Sequence, residues 1–274
     1  MANTANSASA TNMAATANSP AVAASVTILE QGRVGGIGDV GRGAGVGAGV
    51  GAGASGVTRE SDIVGWWKLN ESSGTSAADS SATNNAGTSA NMSDDDWVAG
   101  KNGNCLEFDG TNDHVAVPAN AAYPSSDFSI SCWINRASGS SSFPPVIESQ
   151  SYTATGSFIF RITTGNKLTF YLNNTTTAPY DFSVTNTVDT WYHIAAVYTA
   201  SAEEVVLYYD GSSVGTVDVG SATIDDWADN GFWIGRDRSS FYWKGKIDDV
   251  RIYDVALSNT EVGDIYNSGD GDWA

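Results

Sequence analysis

The first 61 residues contain no phenylalanine, tyrosine or tryptophan, although the complete 274-residue chain has nine tryptophans, eleven tyrosines and nine phenylalanines. A segment without large apolar side chains cannot bury enough surface to offset the entropy it loses on ordering. The remaining residues are numerous enough for one well-buried domain and too few for two. We therefore divide the chain into an arm, residues 1–61, and a folded domain, residues 62–274.

Positive charge and long apolar runs are also scarce. Lysine and arginine number 13 against 31 acidic residues, which gives a formal net charge of −18. Such a surface repels phosphate, so nucleic acid is not an expected partner. No run of 18 apolar residues exists, so no membrane span is predicted. Neither a basic nor an apolar segment precedes Arg33, so no secretory signal peptide is expected.

Few residues of the types that carry nucleophilic or metal chemistry are present. Cys105 and Cys132 are too few for a disulfide framework, and each lies in a strand-like run, so we predict two buried free thiols. His114 and His193 also lie inside strand patterns, where packing is the expected role. Two cysteines and two histidines so widely separated do not indicate zinc, and no haem is expected.

The arm has a composition suited to close backbone packing. Residues 35–56 include 11 glycines, and small residues at nearly every position allow two backbones to approach closely. A G-x-G-x-x-G match at residues 36–41 does not indicate a nucleotide, because the glycine-dense residues that follow cannot form the required helix. We predict that the arm binds protein partners, through self-association or on the surface of a larger particle. The residues proposed for these contacts are Val26, Ile28, Gly43, Gly45, Gly47, Gly49, Gly51 and Gly53.

The domain consists of short strand-like runs separated by turns rich in Gly, Asn, Asp and Ser. This spacing, without helical periodicity, predicts an all-β sandwich. A single helix is expected after the capping box Ser258 to Glu261, ending at Gly269. Asp210-Gly211 indicates a tight hairpin. The predicted strands are 63–69, 105–108, 114–117, 128–135, 146–148, 158–162, 167–172, 191–198, 205–209, 213–217, 232–235 and 245–253.

Several of these segments resemble the laminin-G-like branch of the concanavalin A-like lectin/glucanase superfamily over about residues 62–270. The resemblance implies a two-sheet jelly roll with one concave face, followed by one short C-terminal helix. The arm resembles nothing in that family. The matching segments, in the family's order, are GWW (65–67), CLEFDG (105–110), DFSISCWI (127–134), WYHIA (191–195), LYYDG (207–211) and GKIDDVRIY (245–253).

Catalysis is not expected. Glycoside hydrolysis requires two carboxylates on opposite sides of one bond, and the alternating acidic strand of the glucanase relatives is missing. Glu203 and Glu204 are adjacent, so on a strand they would point to opposite faces. No G-x-S-x-G motif for a serine nucleophile is present.

Calcium is the metal that the resemblance implies, since members of this family commonly carry Ca²⁺ near the sandwich edge. Ca²⁺ takes six to eight oxygen ligands. The loop from Asp79 to Asn85 resembles the family's early Asp/Asn loop, and Asp248 or Asp249 would supply the distant carboxylate. The alternative is a solvated loop and a hydrogen-bonded strand carboxylate.

Aromatic side chains in apparent loops are the candidate ligand-binding residues, because a ring can stack on a sugar or anchor a protein contact. Core packing is the alternative for each of them. The candidates are Trp97 and Trp227, followed by Tyr152, Tyr180 and Trp243.

Three functions are consistent with these observations. The first is a non-catalytic structural or binding protein, displayed on a virion or another extracellular assembly as a decoration or fibre subunit, anchored by its arm, with glycan as a further ligand. The second is a free carbohydrate-binding or adhesion module of a cell-surface or secreted protein. The third, a glycoside hydrolase or lyase, is the least supported.

Overall fold

The computed structural model describes residues 57–151, 156–172, 181–220, 226–267 and 270–272. Each of the twelve predicted strands is present there, with ends that differ by at most two residues from those predicted. Several predicted site residues lie outside the described ranges. These are Tyr152, Tyr180, and the arm residues Val26, Ile28, Gly43, Gly45, Gly47, Gly49, Gly51 and Gly53.

Two eight-stranded antiparallel sheets form a sandwich, with strands numbered here in chain order. The first sheet has, in spatial order, β14 (Ser212–Asp218), β13 (Glu204–Tyr209), β12 (Trp191–Thr199), β7 (Phe128–Arg136), β16 (Lys244–Tyr253), β5 (Asn104–Asp109) and β4 (Trp97–Ala99), while β1 (Ile63–Trp67) pairs with the second half of β16. The second sheet has β11 (Asp181–Ser183), β10 (Lys167–Leu172), β9 (Phe158–Ile162), β8 (Pro145–Ser149), β15 (Phe232–Ile234), β6 (His114–Val117), β3 (Gly87–Ala90) and β2 (Ser76–Ala77).

Short helices complete the described part of the chain. They are two 3₁₀ turns, Glu60–Asp62 and Asp94–Asp96, and the helices α1 (Asp226–Asn230) and α2 (Asn259–Tyr266). None of them is long and apolar enough to cross a membrane.

The local signals in the sequence are largely confirmed. Ser258 and Glu261 form the predicted capping box at the start of α2. The helix ends at Asn267, whose φ of 45° is left-handed, before the predicted stop at Gly269, because asparagine also tolerates this conformation. Asp210 and Gly211, with φ of 48° and 72°, form the tight turn between β13 and β14.

The sandwich interior is filled by aliphatic and aromatic side chains from both sheets. β12 lies between β13 and β7, so it is a central strand of the first sheet. Its even-numbered residues face this core, and its odd-numbered Ala195 and Val197 face a second cluster outside the first sheet. In that cluster Val262 and Ile265 of α2 pack beside Val57 and Ile63. The first sheet is therefore covered on both faces.

Arg251 holds the two ends of the domain together. Its fully buried guanidinium bonds Asp249 through Nε at 3.0 Å and Asp272 through Nη1 at 2.5 Å, and it lies 4.7 Å from the ring of Trp66. The other oxygen of Asp272 accepts a hydrogen bond from the backbone N–H of Thr58 at 2.6 Å. The chain therefore enters and leaves the domain side by side, at the outer face of the first sheet.

Candidate functional site

The second sheet has one buried face and one half-exposed face, which we call the open face. β9 shows this most clearly, because Phe158, Phe160 and Ile162 are buried while Ile159 and Arg161 are partly exposed. The cause is the period of two along a strand, which sends successive side chains to opposite sides of the sheet. The open face therefore carries the side chains that this alternation turns away from the core.

Strand register aligns five of these side chains in one row. Trp233 of β15 pairs with Ala116 of β6 on one side and with Glu148 of β8 on the other. Glu148 pairs in turn with Ile159, and Ile159 with Tyr171 of β10. The row crosses five neighbouring strands, with an aromatic ring on each side of a carboxylate.

Two arginines stack on the aromatic rings of the open face. The guanidinium carbon of Arg161 lies 4.6 Å from the ring centre of Tyr171 and 4.9 Å from that of Phe143. That of Arg236 lies 4.4 Å from Trp233 and 5.4 Å from Tyr242. Each planar group is thereby fixed against two rings, an arrangement favoured by cation–π attraction.

Glu148 lies in the middle of the row and is fully buried. Arg238 Nη1 donates to its Oε1 at 2.6 Å, whereas its Oε2 has no hydrogen-bond partner within the described residues. Burial raises the pKa of Glu148 to about 8, although the positive charge of Arg238 acts in the opposite direction. This carboxyl group therefore sits beneath the Arg238 side chain, as part of the floor of the open face.

The loop that supplies Arg236 and Arg238 is held in shape by Asp237. Its Oδ1 accepts hydrogen bonds of 2.8 Å from the backbone N–H groups of Ser239 and Phe241. Phe241 then packs edge-on against Phe143, with ring centroids 6.2 Å apart, and both rings are exposed. The loop thus carries its arginines in fixed positions and ends in an exposed aromatic pair at the rim of the open face.

Trp97 and Trp227 do not lie in loops, and core packing, the alternative for each of them, is confirmed. Trp97 begins β4, is 8% exposed, and donates from Nε1 to the carbonyl of Gly74. Trp227 lies in α1, is fully buried, and donates to the carbonyl of Pro124. Trp243, the weaker candidate, is also fully buried. All three rings belong to the main hydrophobic core of the domain.

The residues predicted to bind calcium are engaged in hydrogen bonds with N–H donors. Asp79 accepts from the backbone N–H groups of Trp66 and Ser81 through Oδ1 and from that of Asn85 through Oδ2. It thereby closes its own loop and attaches the loop to β1. Asn85 itself donates from Nδ2 to the carbonyl of Pro118.

The two distant carboxylates have similar structural contacts. Asp248 Oδ2 accepts from the backbone N–H groups of Lys101 and Asn102, and Asp249 binds Arg251 and the indole N–H of Trp66. Burial raises the pKa of Asp248 to about 7. In the described part of the chain, no group of three or more His, Cys, Asp or Glu side chains is arranged to hold a metal. These residues do not form one shared Ca²⁺ ligand set there, and calcium binding stays a prediction.

Both histidines and both cysteines lie where the sequence predicts. Cys105 and Cys132 are free and buried, which confirms the prediction of two free thiols. His193 is buried between Trp133 and Tyr266, and His114 lies beside Tyr242. Each histidine thus packs against an aromatic ring.

The open face was not predicted from the sequence, although two features of the sequence mark it. The run Phe232-Trp233-Ile234 alternates, so two buried neighbours imply that Trp233 faces the opposite side. Glu148 is the one charged residue in the otherwise uncharged strand β8. Neither signal tells which side of the second sheet stays open, because that depends on where the rest of the chain packs.

Comparison with known proteins agrees with this architecture. A family model of laminin-G-like domains, described as the concanavalin A-like lectin/glucanases superfamily, matches residues 109–263, which is more than half of the chain. No curated protein sequence matches. The family match and the two-sheet architecture confirm the family resemblance and the jelly-roll sandwich inferred from the sequence.

Three solved structures of low sequence identity share the fold. Domain 4 of AbnA, a GH43 extracellular arabinanase from Geobacillus stearothermophilus in complex with arabinotriose, is 17% identical with a TM-score of 0.60, covering 74% of this chain and 97% of that one. Trypanosoma rangeli sialidase is 13% identical with a TM-score of 0.57, covering 77% of this chain and 34% of the sialidase. The binding domain of Paraclostridial Mosquitocidal Protein 1 is 15% identical with a TM-score of 0.56, covering 76% and 52%. The chain belongs to the concanavalin A-like lectin/glucanases superfamily.

Proposed function

We propose that this protein is a non-catalytic glycan-binding protein whose binding site is the open face of the second sheet. The observation that carries the proposal is the row from Trp233 through Glu148 to Tyr171, flanked by two stacked arginines. A sugar ring has apolar faces and polar edges. Half-exposed rings beside fixed hydrogen-bonding groups provide complementary partners for both. The arabinotriose bound by the arabinanase domain supports a sugar as the ligand class.

The absence of catalysis is part of this proposal. A glycosidase needs two carboxylates free to reach the scissile bond from either side. Glu148 is fully buried beneath Arg238, and Asp237 is 5% exposed and accepts two backbone hydrogen bonds. Both acidic groups thus serve to hold the loop. Hydrolysis of any oligosaccharide that binds the open face would contradict a purely binding role.

The test of glycan binding is a glycan array followed by calorimetry with the full chain. We expect Trp233→Ala to weaken binding of any hit at least tenfold, since it removes one of the two aromatic rings of the row, the one on which Arg236 stacks. Tyr266→Ala is the matched control, because it removes another half-buried ring, which packs on the first sheet beside Trp133. Equal binding by Trp233→Ala and the unaltered protein would overturn the assignment of the site.

We further propose that the domain is displayed on a larger extracellular assembly, such as a virion on which it is a decoration or fibre protein, with the arm as anchor. Val57, where the described chain begins, packs against Val262 and Ile265 at the outer face of the first sheet. The open face belongs to the other sheet, so the proposed glycan site and the point where the described chain begins lie on different sheets. Deleting residues 1–61 should abolish assembly while leaving the domain folded. Normal assembly of the truncated protein would contradict anchoring.

A further inference from the structure

We propose that the open face selects anionic sugars, with Arg161 and Arg236 as the groups that bind the sugar's carboxylate or sulfate. This inference rests on the glycan-binding function proposed above and adds a substrate class to it. The protein has a net charge of −18, yet three of its eight arginines lie on this one face. Elsewhere an acidic surface would repel such a ligand, so this local reversal of charge is what would admit it.

Arg161 is held in place by two aromatic rings. Its guanidinium lies between the rings of Phe143 and Tyr171, and it forms no ion pair within the described residues. Its Nε is buried and has no hydrogen-bond partner there. Stacking fixes the plane of the guanidinium, and the edge offered to a ligand is the terminal Nη1–Nη2 edge, because Nε is buried. That edge matches the geometry of a carboxylate or sulfate with two oxygens.

Arg236 has a comparable environment on the other side of Glu148. It stacks on Trp233 and Tyr242 and donates from Nε to the backbone carbonyl of Asp237 at 3.3 Å. Its Nη1 lies 3.5 Å from Nε2 of His114, and burial together with the Arg236 charge lowers the pKa of that histidine. Like Arg161, Arg236 forms no ion pair in the described part of the chain.

The acidic groups of the open face make their direct contacts with other partners, and Arg161 acts on Glu148 and Asp237 only through space, by its charge. Glu148 is bound by Arg238 at 2.6 Å, and Asp237 accepts two backbone N–H groups of its own loop. The rings that carry the two stacked arginines, Trp233 and Tyr171, are three strands apart, which corresponds to roughly 14 Å. The positive groups are thus spread along a stretch that suits a short oligosaccharide rather than a single free anion.

The test uses the full chain and three pairs of oligosaccharides that differ in charge alone. These are oligogalacturonate and its carboxyl-reduced form, sialyllactose and its carboxyl methyl ester, and a sulfated oligosaccharide and its desulfated form. We expect at least one anionic member to bind about tenfold or more tighter than its neutral counterpart. The pair with the largest ratio identifies whether a uronate, a sialate or a sulfate is the natural group.

Charge-deletion variants assign the effect to the proposed residues. Arg161→Gln and Arg236→Gln should each weaken binding of the anionic member by about 10- to 100-fold and change binding of its neutral counterpart little. Arg161→Lys keeps the charge without the planar fork and should recover part of the loss. Lys246→Gln removes the same charge from β16 of the first sheet and should have no effect. Circular dichroism confirms that each variant is folded.

The outcomes separate this inference from the function on which it rests. If neutral and anionic members bind equally and both depend on Trp233, anion selection is overturned while glycan binding stands. If no glycan binds, both are overturned. If Lys246→Gln weakens anionic binding as much as Arg161→Gln does, the attraction is a diffuse charge effect and the assigned residues are wrong.

Discussion

Arg238 donates a hydrogen bond of 2.6 Å to the carboxyl group of Glu148, which is fully buried in the middle of a strand. A buried ionisable group of this kind makes the stability of a protein depend on pH, because the folded and unfolded chains bind protons differently. The contact also joins the loop of residues 236–242 to the sheet beneath it.

Glu148 is expected to reduce stability as the pH rises through neutrality. Its pKa is about 8 in the folded protein, against an ordinary value of 4.5, so the unfolded chain ionises first. The stabilising effect of the protonated Glu148 on the folded protein is complete below pH 4.5 and is lost as the pH approaches 8. Between pH 5 and 8 we expect the unmodified protein to lose about 3 kcal/mol more unfolding free energy than Glu148→Gln, in urea titrations.

The control for this experiment is Glu107→Gln, which alters an exposed glutamate on β5 of the first sheet. It should follow the pH dependence of the unmodified protein. If Glu148→Gln does so as well, the buried carboxyl group does not titrate between pH 5 and 8.

Trp227 and Trp233 should separate stability from binding. Trp227 is fully buried against Phe128 and Phe158, so Trp227→Ala should cost about 3–5 kcal/mol in urea unfolding. Trp233 is half-exposed, so Trp233→Ala should cost clearly less while weakening glycan binding. The opposite pattern, in which a folded Trp227→Ala protein loses binding and Trp233→Ala retains it, would contradict the open-face site. It would support Trp227, the candidate named from the sequence, as the ligand-binding residue.

His193 is expected to destabilise the protein in acid. Burial, together with the charge of Arg251, lowers the pKa of this histidine to about 3, and within the described residues neither ring nitrogen has a hydrogen-bond partner. The unfolded chain takes up the proton near pH 6.5, so stability falls as the pH drops from 6.5 towards 3. The free energy of unfolding falls by about 1.4 kcal/mol for each pH unit across this range.

The His193→Leu variant removes the titrating imidazole and places an apolar side chain between the same rings. Its unfolding free energy should therefore fall less between pH 6.5 and 4 than that of the unmodified protein. Parallel curves for the two proteins would show that the buried imidazole does not control acid stability.

Calcium binding gives a prediction that thermal unfolding can check. An ion that binds the folded state raises the unfolding temperature by mass action. If the sequence-based prediction holds, Ca²⁺ raises the midpoint relative to chelator, and Asp79→Asn and Asp248→Asn each remove the increase. An unchanged midpoint would mean that these carboxylates act through the hydrogen bonds described above, without an ion.

Sequence reasoning identified the long strands because their alternation is determined by burial on one or both sides. The strands it missed are β2, β3, β4 and β11, which have two to four residues each. In Gly87–Ala90 only Thr88 has a high strand propensity, and the pairing with β6 depends on a neighbour more than 20 residues away along the chain. Such short strands at or near a sheet edge leave no periodicity to read.

The candidate site was harder to predict for a related reason. Tryptophans next to aspartates look like loop residues, yet Trp97 and Trp227 are among the buried side chains. Trp233 and Arg161 lie within apolar strands and look like core residues, yet they reach the open face. In the described part of the chain, α2 and the first residues of the domain cover the outer face of the first sheet, while the open face of the second sheet stays half-exposed. The exposure of Trp233 and Arg161 therefore depends on distant segments, which a local sequence pattern does not reveal.

The pairing of Thr58 with Asp272 has a practical consequence for engineering. Thr58 near the start of the described domain and Asp272 near its end lie side by side and are held by the buried Arg251. The domain can therefore be joined to another protein through two neighbouring points. It is therefore suited to insertion into a surface loop of a host protein, with short spacers on either side. Inserted in this way, the module would keep its second sheet, which carries the proposed glycan site, on the side away from the host.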